Sequence, residues 1–310
     1  MNVYAPIQIA LPAVALTLAL GVYLVAVADR VMAGVIAGSG PELRAAMLTP
    51  LRGAALAFLQ WRRATERPDA GGWALAPALL GGLAAFALAL VPLGPGLVVA
   101  DADTGFVAFS AAIAFVMIAV YLHGWSPNSA LPLHGAYRYG AQALSFQIPF
   151  LLAMLATALP AESLSIVRIV EAQATLWNVV REPVGLPLYL VVGLGVSFWG
   201  PLNMPDATDL AGGTSAEDSG VARLLWGAAR ASMLVAVAAM GAAGFLGGWF
   251  GPFLPGPVWM ILKTLALLGL ILAAGHLLAR IRIELFVLVS WAILIPLALL
   301  NVFVSGAFLL

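Results

Sequence analysis

Cysteine is absent from the 310 residues, which removes disulfides, thiolate metal sites and cysteine-ligated iron–sulfur clusters from this chain. Any redox centre it serves is expected on a partner. Charge is nearly as scarce: Asp, Glu, Lys and Arg make up 9% of the residues against 63% hydrophobic ones, and the mean hydropathy is +1.04. That composition lies outside the range of soluble globular domains and defines a polytopic membrane protein. The formal net charge is zero and no basic stripe is present, so nothing addresses nucleic acid. No basic region or small-residue cleavage site accompanies the first apolar run, which is therefore expected to be a retained span.

What is there is a series of apolar stretches of the length that crosses the hydrocarbon core, about 20 residues each. The sequence predicts eight spans in a single integral membrane domain over 1–310: about 5–28, 73–93, 106–123, 140–160, 184–200, 228–250, 257–278 and 285–309. The fifth is short and rich in glycine. Arginine sets the orientation, because Arg30, Arg44, Arg52, Arg62, Arg63 and Arg67 crowd the first connection while the second carries only Asp101 and Asp103. Alternation then puts Arg138, Arg223, Arg230, Arg280 and Arg282 on the same, cytoplasmic side, with Arg168 and Arg181 opposite and both termini outside. The expected class is an all-α polytopic protein with eight transmembrane helices plus interfacial amphipathic helices, in a bacterial or archaeal cytoplasmic (inner) membrane. The interfacial helices are expected in PLRGAALAFLQWRR and in 162–181, where Leu164, Val167, Val170 and Ala174 recur at helical spacing.

A second scarcity concerns carboxylates. No Asp or Glu falls within the eight expected spans, although a buried proton relay normally uses them. Asp29, Asp206, Asp209, Glu217, Asp218 and Glu284 cluster instead near the cytoplasmic ends, where they serve either as solvated loop residues or as the lining of a cavity. Lys263 interrupts the seventh span, at a cost of roughly 2.5–3.5 kcal/mol on insertion scales. It either snorkels toward the outer surface or faces the bundle interior as part of a polar axis. Arg138 is a positive-inside anchor or a site residue, with Gln142 and Ser145 on its helix face. His123 and His134 lie too far apart to argue for a metal, and His276 reads as an interfacial histidine.

The order of motifs resembles the H-subunit family of bacterial NADH–quinone oxidoreductase (complex I), which includes the matching membrane subunit of energy-converting [NiFe] hydrogenases and formate hydrogenlyases. The resemblance rests on Gly124, Trp125, Ser126, Asn128 and Ser129, followed by Gly135, Ala136, Arg138, Ala141, Gln142, Ser145, Phe146, Gln147 and Pro149. Ile169, Val170 and Gln173 match a second motif; PDATDLAGG (205–213) and EDSG (217–220) match a third in eroded form. Lys263, then Arg280, Arg282 and Glu284, then Trp291, Pro296 and Asn301 complete the order. Departures are as specific: Gln147 stands where the family has Glu, and Val196, Trp199 and Asn203 replace family Glu, Arg and Asp. Asp29 and Arg30 answer to an E-R-K.

The resemblance implies a non-catalytic membrane-anchor and coupling subunit that links electron transfer in peripheral iron–sulfur subunits to proton or ion translocation. It implies no cofactor on this chain, iron–sulfur clusters and possibly [NiFe] in partners, and a possible quinone. The implied partners are a hydrogenase-like large subunit and an iron–sulfur small subunit on the cytoplasmic face, with antiporter-like subunits in the membrane. The coupling candidates are Asp29, Arg30, Arg138, Gln142, Gln147, Asn203, Asp206, Asp209, Glu217, Asp218, Lys263, Arg280, Arg282 and Glu284. Loss of the Glu at Gln147 favours the hydrogenase-type branch over a quinone chamber. A structural anchor with a decayed pumping role and a stand-alone transporter remain alternatives; the latter should show an inverted repeat, which is not evident.

Overall fold

The computed structural model describes residues 3–38, 40, 43–206 and 212–307. The chain is almost wholly helical, apart from a two-residue antiparallel pair between β1 (Val3–Tyr4) and β2 (Ala100–Asp101). Among the described residues, seven helices are long and apolar enough to cross a membrane. They are α1 (Ile7–Ile36), α3 (Ala70–Ala89), α4 (Gly105–Trp125), α5 (Ala130–Ala158), α9 (Gly220–Phe245), α10 (Gly256–Leu277) and the final unit Ile283–Ala307. That unit joins α11 (Ile283–Val289) to α12 (Ile295–Ala307) through a π turn at Ser290–Leu294, just before Pro296. The expected fifth span is α8 (Gly185–Val196), only 12 residues, or about 18 Å of rise. A short 3-10 turn at Gly200–Leu202 follows it.

Several boundaries differ from the sequence expectation for local reasons. α1 runs on to Ile36, so Asp29 and Arg30 lie on a helix and not in a loop. α5 begins at Ala130, well ahead of the expected start at 140, because the polar segment GAYRYGAQ is helical too. The stretch 162–181 is not one amphipathic helix but two fragments, α6 (Ile166–Glu171) and α7 (Asn178–Arg181). The break falls at Gln173, whose Oε1 accepts the backbone N–H groups of Asn178 (3.2 Å) and Gly247 (2.9 Å). A side chain has thus taken a donor that a continuous helix would have used. α2 (Leu43–Leu59) is mostly exposed, with Ala46 and Ala57 turned inward; it covers PLRGAALAFL of the expected helix, but the basic end QWRR lies beyond it.

The centre of the bundle is α9, buried on every side from Ala231 to Phe245. Ala, Gly and Ser fill much of that stretch and let α3, α8 and α10 approach closely. Where small residues leave backbone groups exposed to a dry interior, polar side chains satisfy them. Pro149 in α5 has no N–H to offer the carbonyl four residues back, and Ser290 Oγ donates to that carbonyl, Ser145 O, at 2.5 Å. At the C-terminal end of α9, Gln173 Nε2 donates to Ala243 O (2.8 Å) and Asn178 Nδ2 to Gly244 O (2.9 Å). Lys263 completes this cap. Its Nζ donates to Leu246 O (2.5 Å), Gly248 O (3.0 Å) and Phe250 O (2.6 Å) and sits 4.0 Å over the Trp177 ring.

Candidate functional site: a charged cavity at the arginine-rich end

The end of the bundle formed by the last turns of α1 and α10, the start of α9 and the segment after α8 holds a cavity of about 530 Å³. Asp29, Asn203, Asp206, Arg230, His276 and Arg280 contribute to its lining. The chain reaches this place through a tight bend. Phe198 has φ of 40° and Gly200 of 56°, and a Cβ on Gly200 would lie 2.8 Å from Gly275 Cα, so glycine is required where the bend touches α10.

Two pairs of acidic and basic side chains face the cavity. His276 Nε2 on α10 lies 2.9 Å from Asp29 Oδ1 on α1. Arg230 on α9 is in close contact with Asp206, donates to Phe198 O at 2.8 Å and stacks its guanidinium 4.5 Å over the Phe198 ring. Asp206 also accepts from Thr214 Oγ1 and Trp226 Nε1, both at 3.2 Å. With 6% of its surface exposed, Asp206 is a buried carboxylate that needs all of these donors. Beyond Trp226 the polar contacts continue. His123 stacks on Trp226 at 3.6 Å, its Nε2 lies 3.0 Å from Asp218 Oδ2, and Asp218 Oδ1 accepts from Trp73 Nε1 at 2.9 Å.

The coupling candidates separate into groups. Asp29, Asn203, Asp206 and Arg280 line the cavity. Arg138 is not among the lining residues and donates to Gly212 O at 3.0 Å, and Gln142 donates to Gly195 O at 2.8 Å from a fully buried position. Glu217, partly exposed in a turn, accepts from Ser129 Oγ at 2.9 Å, while Asp218 is buried and so is not a solvated loop residue. Arg30, Arg282 and Glu284 are exposed, and Gln147 is half-buried on α5 away from the cavity lining. Asp209 lies outside the described residues. Lys263 faces the interior but caps α9 at the opposite end, so it is not a neighbour of the cavity; a cation suits the C-terminal end of a helix dipole. Sequence reasoning missed Arg230, His123 and the role of His276. Arg230 was placed only as a topological marker, although an Arg ten residues into a buried helix is a signal of a buried partner.

The motif around Gly124–Ser129 builds the scaffold. Ser126 O accepts the backbone N–H of Asp69 (2.8 Å), Thr65 Oγ1 donates to Pro127 O, and Asn128, with φ of 53°, occupies a left-handed position that Asn tolerates. Gly135 serves the loop after α8: a Cβ there would lie 2.4 Å from Pro205 O and 2.5 Å from Thr214 N. Those two atoms are themselves hydrogen-bonded at 2.8 Å and close the loop that carries Asp206. Gly135→Val is expected to push that loop off α5, at a cost of about 1–3 kcal/mol or more. A lower melting temperature and loss of assembled complex on native gels would report it.

The fold and the cavity define an all-α, multi-pass membrane protein with a half-open charged cavity at its arginine-rich end. A family model described as NADH dehydrogenase matches residues 7–306. The chain is 32% identical over 255 residues to the H subunit of NADH-quinone oxidoreductase from Syntrophotalea carbinolica, covering 79% of this chain and 77% of that protein. It is 31% identical over 271 residues to the H 1 subunit of NADH-quinone oxidoreductase from Rhodopseudomonas palustris strain BisA53 (84% and 85% covered). Its identity to the H 1 subunit of strain HaA2 is 31% over 246 residues (78% and 77%). This chain belongs to the H-subunit family of the NADH-quinone oxidoreductases, as a divergent member.

Proposed function

We propose that this chain is the membrane-anchor and coupling subunit of a complex I-like redox complex, and that its cavity is where electron transfer acts on protonatable groups. The observation that carries this reading is the convergence of the Asp29–His276 and Asp206–Arg230 pairs on one half-open cavity. A unit charge appearing about 8 Å away would act on either partner of a pair with about 2 kcal/mol at an effective dielectric of about 20. That exceeds one pKa unit, about 1.4 kcal/mol, and is enough to move a proton.

In this reading the chain carries no cofactor and crosses the membrane eight times. α8 supplies the short crossing, and both termini lie on the outer side. A hydrogenase-like large subunit and a small iron–sulfur subunit dock on the arginine-rich face, and antiporter-like subunits dock in the membrane. A quinone is the acceptor that the cavity chemistry supports best. Asn203 Oδ1 is buried there without a hydrogen-bond partner. Reduction converts a quinone carbonyl, which accepts, into a hydroxyl, which donates; the Asn203 amide can meet either form. Gln147, whose missing carboxyl favoured the hydrogenase branch, lies off the cavity lining and therefore weighs less against a quinone.

The complex isolated from native membranes through a tag on this chain is expected to bring down iron–sulfur subunits, visible by electron paramagnetic resonance, and to reduce a short-chain quinone. Asn203→Leu is expected to raise the KM for that quinone. A chain that purifies alone and moves ions by itself would overturn the reading; proton or ferredoxin reduction without quinone activity would return it to the hydrogenase branch.

A further inference from the structure

Glu182 is the buried carboxylate that the pattern of apolar spans does not reveal, because it precedes α8 in what looks like a loop. The structure folds it inward until 1% of its surface remains exposed. It lies at the end of the bundle opposite the cavity, against the C-terminal turns of α5 and α12. Asn301 Nδ2 donates to Glu182 Oε2 at 3.2 Å, and Ser305 Oγ lies 3.3 Å from Glu182 Oε1. The same Ser305 Oγ lies 3.3 Å from Ala156 O on α5.

Ser305 has one hydroxyl hydrogen and two acceptors at equal distance, and which it serves depends on the carboxyl. With Glu182 ionised, Ser305 donates to Oε1 and Ala156 O loses that donor. With Glu182 protonated, its O–H donates to Ser305 Oγ, and the serine hydrogen turns to Ala156 O. The protonated state makes both of these bonds, and the ionised state strengthens those that Asn301 and Ser305 donate to a charged acceptor, so neither is locked by the hydrogen bonds. We propose that Glu182, Asn301 and Ser305 form a proton-binding site at the end of the bundle opposite the cavity, occupied and vacated by a single proton through rotation of the Ser305 hydroxyl.

The electrostatics agree. Burial pushes the Glu182 carboxyl up to about 7, against the bonds from Asn301 and Ser305 and the charge of neighbouring Arg181, all of which favour ionisation. The charged residues of α5 and α9, namely His134, Arg138, Arg223 and Arg230, lie in the halves of those helices nearer the cavity; α12 has none; and Lys263 of α10 is engaged by three carbonyls. Among the described residues, no strong partner therefore fixes Glu182 in the ionised form. Burial thus favours the protonated form of Glu182, against which Asn301 and Ser305 are packed.

Infrared difference spectra of the intact complex in liposomes, taken across pH, test this directly and independently of which acceptor the cavity serves. A carboxylic C=O band with a midpoint near neutral pH is expected, absent in Glu182→Gln. Ser305→Ala, which should fold normally, is expected to raise the midpoint by about 0.5–1 pH unit, the size of one lost hydrogen bond to the charged form. The proposal is overturned by a band that persists in Glu182→Gln, by a midpoint unmoved in Ser305→Ala, or by displacement of the band on adding sodium ions at constant pH, which would make the cluster a metal-cation site.

Discussion

Arg230→Met is expected to cost about 3–5 kcal/mol and to abolish accumulation of the assembled complex. Removing one member of a buried ion pair leaves the other charge without compensation, and Asp206 would keep only the neutral donors Thr214 and Trp226. Phe198 O would lose its donor as well. The double variant Arg230→Met with Asp206→Asn removes both charges and should recover most of the loss, since a buried pair replaced by neutral groups is often close to neutral in stability. Thermal unfolding in detergent, read by size exclusion, separates these outcomes. If the single variant is as stable as wild type, the pair is not buried as described. Recovery of stability in the double variant without recovery of ion movement would show that the pair does more than hold the loop.

Lys263→Met is expected to have the second large effect, a loss of about 3–5 kcal/mol. Three carbonyls beyond the end of α9 receive their hydrogen bonds from one ammonium, and bonds to charged groups contribute about 1.5–3 kcal/mol each before correlations between them. Methionine fills the volume and donates nothing. The melting temperature should fall, while each complex that does assemble should retain its coupling, because the ammonium lies at the opposite end from the cavity. A member of the cavity's polar axis would behave the other way, with normal assembly and lost coupling. Lys263→Arg offers a check, since it keeps the charge and several donors and should recover part of the stability.

Much of the scaffold was legible in the sequence because spans obey a length rule. The short helix α8 was visible as a glycine-rich run. Its true length was not, since a helix can stop at Val196 only because the bend through Phe198 and Gly200 is buried among α9 and α10. The site was legible in part. Asp206 and Asp29 stand out by charge near the membrane, yet nothing local says that Asp206 reaches Arg230 or that Asp29 reaches His276, 247 residues away. Glu182 was hidden for the opposite reason. It falls between the expected interfacial helix ending at Arg181 and the expected span starting at 184, and only the return of α12 beside α5 closes Asn301 and Ser305 over it.

The resemblance also assigned roles that geometry redistributes. Gln173, in a family motif, turns out to hold the end of α9 and the start of α7 together. The Gly124–Ser129 motif ties the segment before α3 to that before α9, through Asp69 and Glu217. Ser126 and Ser129 fix loops at the cavity end of the bundle while Gln173 acts at the opposite end, and the proposed relay through Asp29, His276, Asp206 and Arg230 would use none of the three. The missing intramembrane carboxylates therefore do not leave the chain without a polar interior.

The measurement closest to the central claim is the number of protons moved per electron by the complex in sealed liposomes, compared between wild type and the variants Asp29→Asn and His276→Phe. Both residues line the cavity and pair across it, at positions where substitution should leave the fold standing because each side chain is partly exposed. Electron transfer is expected to persist with a severalfold lower proton yield in both variants. An unchanged yield at full turnover in both would contradict the cavity's part in coupling.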